Sequence, residues 1–203
     1  MRQDNRDAPL PKEFTWSFWQ AVAQEIGAYS LNMILLKAGL EKFVERETSL
    51  PRREPLSAEE FGLFQRALGE YYGRGARGLL TRAGAGAWRL TQKKLPLGRK
   101  LLIGVLHLLP PALSARLVLR NLAVLLHYPG DWAAVKPAGR EYSYKAFFGL
   151  GCAEQAANEP VCWTMVGLLR EALESVTRRT YEVEEVACRA AGAETCMFRI
   201  RQL

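Results

Sequence analysis

Residues 181–200 read YEVEEVACRAAGAETCMFRI, and this stretch decides the predicted fold. Strand-type alternation of apolar and polar residues lies on both sides of a small-residue segment centred on Gly192, a pattern typical of a β-hairpin. We predict strands over about residues 181–189 and 195–201. The chain therefore ends in two antiparallel strands.

A second hairpin is predicted upstream, with strands at about residues 132–136 and 140–148. A helix that starts at Pro160 separates the two hairpins. Apolar residues recur at helical spacing through most of the first 127 residues. The predicted fold class is α+β: a helical N-terminal half packed on an antiparallel sheet built from two hairpins, with a helix between them.

The length fits one domain. We expect residues 1–12 to be a flexible tail and residues 13–203 to be a single ligand-binding domain. Its helical part is predicted at 13–127, and the part that contains the sheet and the metal site at 128–203.

Two helix boundaries have local signals. Ser57 and Glu60 have the spacing of a capping box, which predicts a helix start at this point. Residues 73–78 match the G-x-G-x-x-G spacing, but a helix precedes them and no acidic residue follows at the required distance. They predict a glycine-rich turn between two helices. The small-residue segment 83–87 predicts a close approach, either within the chain or in a dimer.

The charge of +7 is concentrated between residues 71 and 130, which contain ten Lys or Arg and no Asp or Glu. Aromatic residues are not interleaved with these charges, so nucleic-acid binding is not expected. The most apolar stretch is interrupted by Pro110 and Pro111, so no membrane span is expected. Four cysteines are too few for a disulfide scaffold, and the polar N-terminus does not resemble a secretory signal, which together favour a cytoplasmic location.

Three of these cysteines can meet near the last hairpin. A turn centred on Gly192 places Cys188 opposite Cys196, and their Cβ atoms then lie roughly 4.5–5.5 Å apart. Cys162, at the start of the preceding helix, can supply a third sulfur. Strand parity favours Glu184 as a fourth ligand, whereas Glu185 can reach the ion only if the strand bulges. Two alternatives stay open: buried thiols without metal, and a disulfide between Cys188 and Cys196.

Residues 158–162, NEPVC, and residues 182–198 together resemble the 4-vinyl reductase domain family, also described as hydrocarbon-binding. The family includes sensor domains of phenol-responsive activators. It is similar in fold to small subunits of vesicle-tethering complexes and to haem-based nitric-oxide sensors. The resemblance implies a homodimer and a structural zinc, with Cys152 as a reserve ligand. The zinc ligands that it implies are Cys162, Glu185, Cys188 and Cys196.

The resemblance also implies binding or sensing of a small hydrophobic or aromatic molecule by a zinc-stapled domain. The candidate pocket residues are His107, Trp132, Tyr144, Phe147 and Trp163. No catalytic constellation or redox-cofactor motif is visible in the sequence, so an enzyme is not indicated. Two alternatives stay open. One is an enzyme or accessory factor in the reduction of a (bacterio)chlorophyll vinyl group, and the other is a structural dimerisation or interaction module.

Overall fold

The computed structural model describes residues 10–44, 55–126, 133–138, 141–146, 151–153 and 156–203. Seven α-helices and four β-strands lie in these ranges. The helices are α1 (Lys12–Ile26), α2 (Ala28–Lys37), α3 (Ala58–Tyr72), α4 (Gly75–Lys94), α5 (Leu97–Leu106), α6 (Pro111–Leu125) and α7 (Trp163–Thr177). The strands are β1 (Ala133–Ala138), β2 (Glu141–Ala146), β3 (Tyr181–Ala187) and β4 (Cys196–Gln202).

The four strands form one sheet in the order β1-β2-β4-β3, and every neighbouring pair is antiparallel. The two hairpins therefore join along β2 and β4, and α7 connects them in sequence. Tyr142, Tyr144 and Ala146 of β2 are buried, and Lys145 is exposed, as the alternation predicts. The predicted α+β class, with helices first and two hairpins separated by a helix, is confirmed.

The last hairpin closes differently from the prediction. Strand β3 ends at Ala187, two residues early, and a short 3₁₀ helix occupies Arg189–Ala191. The Cys188 carbonyl accepts hydrogen bonds from the backbone N–H groups of Ala191 and Ala193 at 3.0 and 3.1 Å. Gly192 follows with a φ of 90°, a left-handed conformation that glycine adopts without steric cost. The connection is thus a helical turn in which one carbonyl accepts two bonds.

The predicted capping box at the start of α3 is confirmed. Ser57 Oγ accepts from the Glu60 N–H at 3.1 Å, and Glu60 Oε2 accepts from the Ser57 N–H at 3.0 Å. The predicted glycine-rich turn is shorter than expected. Gly73 ends α3 with a φ of 52°, but α4 already begins at Gly75, so the later glycines of the motif lie inside a helix.

Helices α4 and α7 pack with their backbones in contact, because each contributes a glycine. A Cβ at Gly84 would lie 2.1 Å from the Thr164 carbonyl oxygen, and a Cβ at Gly167 would lie 1.8 Å from the Thr81 carbonyl oxygen. The small-residue segment 83–87 therefore packs within the chain, and the alternative of a dimer contact there is wrong. α7 also presents its predicted apolar stripe to the core; its buried members include Met165, Leu168, Leu169, Ala172, Leu173 and Val176.

A second part of the core is aromatic and lies between α1, α3 and the 3₁₀ segment Glu41–Phe43. Phe18 and Trp19 of α1 meet the rings of Phe61 and Phe64, with centroids between 4.6 and 5.9 Å apart. Such ring pairs stabilise a core beyond the burial of their area. This cluster anchors the helical half, onto which α4 and α7 pack.

Basic residues of α4 contact carboxylates on the neighbouring helices. Arg82 Nε lies 2.7 Å from Glu25 of α1, and Arg89 lies 3.5 Å from Glu171 of α7. Part of the basic stripe is thus used in ion pairs across the helix bundle. Across the ranges that the structure describes, every helix is too short or too polar to cross a bilayer.

Candidate metal centre

Cys162 caps the N-terminus of α7. The helix starts at Trp163, later than the predicted start at Pro160, and Cys162 takes the N-cap position. Its backbone N–H donates to Glu185 Oε2 at 2.8 Å, so a carboxylate from the sheet satisfies one of the free amides at the helix end. This bond joins the start of α7 to strand β3.

A β-bulge turns the Glu185 side chain toward the cysteines. Glu185 pairs with Phe198, but the next paired residue is Ala187 with Met197, so Val186 is the extra residue and is 44% exposed. Because the bulge shifts the alternation by one, Glu185 and Cys188 are both buried although they are three residues apart. The bulge that Glu185 needs is present.

Glu184, which regular strand parity favours, lies on the other face of β3. It is exposed and forms an ion pair with Arg199 of β4. Parity alone therefore selects the wrong carboxylate, because it assumes an uninterrupted strand.

The four predicted ligand side chains converge. Cys162 Sγ lies 3.8 Å from Cys188 Sγ and 3.7 Å from Cys196 Sγ. Together with a Glu185 oxygen, these ligand atoms all lie within 4.8 Å of one another, and all four residues are buried. With Zn–S bonds of about 2.3 Å, a tetrahedral zinc site separates its sulfurs by about 3.8 Å. The cysteines form no disulfide, so the alternative of a Cys188–Cys196 bond is wrong.

The electrostatics of the cluster suit a cation. Burial raises the pKa of Glu185 to about 8 and raises the pKa of Cys162 well above its usual value. Hydrogen bonds from the neighbouring thiols, first of all from Cys152, lower the pKa of Cys188. Glu185 Oε1 is buried and has no hydrogen-bond partner among the described residues. An unsatisfied carboxylate oxygen beside three sulfurs is a donor set that fits a four-coordinate zinc ion.

Cys152, the reserve candidate, also belongs to this cluster. It is buried, and its Sγ lies 3.4 Å from Cys196 Sγ. All four cysteines of the chain therefore meet at the junction of β4, the last hairpin and the start of α7. The sequence signal that could have placed Cys152 here with more weight is its position directly after the first hairpin.

The predicted pocket residues are less coherent. Trp132 and Phe147 lie outside the described residues. His107 Nδ1 is 2.8 Å from the Val176 carbonyl oxygen, and the Trp163 ring lies under the Arg77 guanidinium at 4.3 Å. Tyr144 is fully buried, and its hydroxyl has no hydrogen-bond partner among the described residues. The three described candidates thus have different neighbours, and only Tyr144 has an unsatisfied polar atom.

Solved structures similar to this chain are H-NOX domains. A structure from work on H-NOX activation has a TM-score of 0.55 at 12% identity, with 93% of this chain and 94% of that chain covered. An oxygen-binding H-NOX domain related to soluble guanylate cyclases, in its oxygen complex, has a TM-score of 0.54 at 13% identity, with 92% and 91% covered. An H-NOX domain from Shewanella oneidensis in the Fe(II)CO state has a TM-score of 0.54 at 13% identity, with 94% and 97% covered. At these identities the likeness concerns the fold.

The sequence comparison is more specific. No curated protein matches the chain. Residues 150–202, however, match the model of the 4-vinyl reductase domain, which is the family of the predicted resemblance. The resemblance is confirmed: the chain carries a 4-vinyl reductase domain sequence at residues 150–202, the segment that contains its candidate metal centre.

Proposed function

We propose that the chain is a small-molecule-binding domain in which one structural zinc ion fastens the last hairpin to the start of α7. Cys162, Glu185, Cys188 and Cys196 are its proposed ligands. One observation carries this proposal: three thiols and a carboxylate, all buried, lie within 4.8 Å of one another in the part of the chain that matches the 4-vinyl reductase domain.

The donor set argues for a structural role of the ion. A zinc ion supplies a fixed cross-link between segments that are distant in sequence. Four protein ligands leave no open position for water or substrate, which is the arrangement of structural zinc sites. The hydrogen bond from the Cys162 N–H to Glu185 Oε2 orients the carboxylate from outside.

The proposed ligand of the domain is a small hydrophobic or aromatic molecule. The match of residues 150–202 to the 4-vinyl reductase domain supports this class, as does the likeness in fold to H-NOX domains, one of which is titled as oxygen-binding. Coverage of 92% of the chain in that likeness supports residues 13–203 as one domain. Within the core, the hydroxyl of Tyr144 is the proposed polar anchor, because a buried hydroxyl without a partner is costly unless a ligand or water satisfies it.

Native mass spectrometry of the purified full chain tests the metal, the bound molecule and the predicted homodimer together. The expected result is one zinc ion per chain. Cys188→Ser should lose the ion, whereas Glu184→Gln removes a neighbouring carboxylate outside the cluster and should keep it. A wild-type protein that contains no zinc and takes up none when zinc is added would contradict the proposed centre.

Tryptophan fluorescence tests the ligand class with three probes: a phenol, a fatty acid and a porphyrin. At least one probe should give a saturable change in emission. Tyr144→Phe should weaken its binding by about tenfold, the value of one lost hydrogen bond. Tyr71→Phe, which changes an exposed tyrosine in the same way, is the matched control. No saturable response to any of the three probes would reject the proposed ligand class.

A further inference from the structure

The cluster contains one donor more than a zinc ion normally uses. Zinc is four-coordinate in structural sites. Cys152 is only 4% exposed, its Sγ lies 3.4 Å from Cys196 Sγ, and it also forms hydrogen bonds with the thiols of Cys162 and Cys188. With Glu185, the centre therefore holds four sulfurs and one carboxylate.

The segment that carries Cys152 is fixed on both sides by close packing. Gly151 has a φ of 97°, and a Cβ there would lie 1.2 Å from Nε2 of Gln65 on α3. A Cβ at Gly62 of α3 would lie 1.9 Å from the Ala153 carbonyl oxygen. Gln65 Oε1 in turn accepts a hydrogen bond from the Thr164 hydroxyl at 2.9 Å. Helices α3 and α7 thus hold residues 151–153 in place, with the thiol directed into the cluster.

We propose that Cys152 is a further ligand of the zinc ion and competes with Glu185 for the fourth coordination position. This inference rests on the proposed zinc centre. A thiolate is the softer donor, and four cysteines form a common structural zinc site. Glu185 keeps a partner when it leaves the ion, because its Oε2 accepts the Cys162 N–H.

Exchange between the two donors conserves charge. Three thiolates, one carboxylate and a divalent ion carry the same net charge as four thiolates and that ion. The exchange therefore exposes the buried centre to no additional charge, which is the term that usually makes changes in such a site costly. Cys196 Sγ, 3.4 Å from Cys152 Sγ, is near the sulfur–sulfur edge of about 3.8 Å in a tetrahedral zinc site.

Cobalt(II) binding to the full-length protein tests the proposal, because cobalt replaces zinc in such sites and absorbs in proportion to its number of cobalt–sulfur bonds. Cys152→Ser should show a three-sulfur centre. Glu185→Gln should show a four-sulfur centre, with charge-transfer absorption about one third stronger than that of Cys152→Ser. The double variant should bind zinc on the order of 100-fold more weakly than either single variant, measured by competition with a chelator.

Glu184→Gln is the matched control for Glu185→Gln and should bind like the wild type. Circular dichroism confirms that each variant is folded, and Cys152→Ala repeats the test without a hydroxyl. A wild-type spectrum with four sulfurs supports Cys152 as the resident ligand. The proposal is overturned if Glu185→Gln shows only three sulfurs, or if it binds zinc as weakly as the double variant. A wild type that binds no metal rejects the zinc centre itself, whereas three-sulfur binding in both single variants rejects only the role of Cys152.

Discussion

Removal of the proposed zinc should lower the thermal stability of the chain by an amount that follows from the connectivity of the centre. The ion would cross-link Cys162 and Cys196, which are 34 positions apart. Closing a loop of about 35 residues removes about 4 kcal/mol of conformational entropy from the unfolded chain. For a chain of this size, each kcal/mol corresponds to roughly 2–4 °C in the unfolding midpoint, so the expected loss is roughly 10 °C.

The assay is thermal unfolding followed by circular dichroism at a fixed scan rate. Three samples are compared: the zinc-loaded protein, the protein after exhaustive chelation, and the chelated protein with zinc restored. Restoration should return the midpoint, and Glu184→Gln should behave like the wild type throughout. Cys162→Ser should already melt at the lower temperature and should not respond to the chelator. Equal midpoints for samples that contain and lack zinc, as verified by atomic emission, would refute the cross-link reasoning.

Three further predictions concern the packing around the centre. Gly167→Ala should destabilise the chain by about 1–3 kcal/mol in urea unfolding, because its Cβ would meet the Thr81 carbonyl oxygen, whereas Gly98→Ala, where the structure shows open space, should not. Ser57→Ala should cost about 1 kcal/mol by the loss of the α3 cap, and a change below the error of the same measurement would contradict the capping role. Tyr144→Phe should raise the melting temperature of the ligand-free protein, because it removes a buried hydroxyl that has no described partner. A lower melting temperature would show that the hydroxyl is satisfied.

Much of the fold could be predicted from residue patterns because each element carries its own local signal. The apolar stripe of α7 and the Ser57–Glu60 box depend on residues within one or two turns, and both are present. The extent of α4 could not be derived in this way. Glycine favours a turn locally, yet packing against α7 requires a helix with small residues, so Gly75 and Gly78 lie within α4.

The candidate site shows the same limit more sharply. The spacing of Cys188 and Cys196 indicates a shared centre from the hairpin alone. The choice of Glu185 over Glu184 depends on the bulge at Val186, which strand periodicity does not reveal and only the family resemblance supplied. Cys152 could be named as a reserve, but its position depends on tertiary packing of Gly151 against Gln65, which no local pattern reports.

The extra residue at Val186 also has a consequence for how the molecule behaves among its neighbours. β3 is an outer strand of the described sheet, and a regular outer strand offers a row of open backbone groups to any passing chain. The bulge breaks that row, and the charged Glu182 and Glu184 flank it on the exposed face. The residue that turns a carboxylate inward thereby makes this margin of the sheet a poor template for strand addition, which protects the protein from self-aggregation.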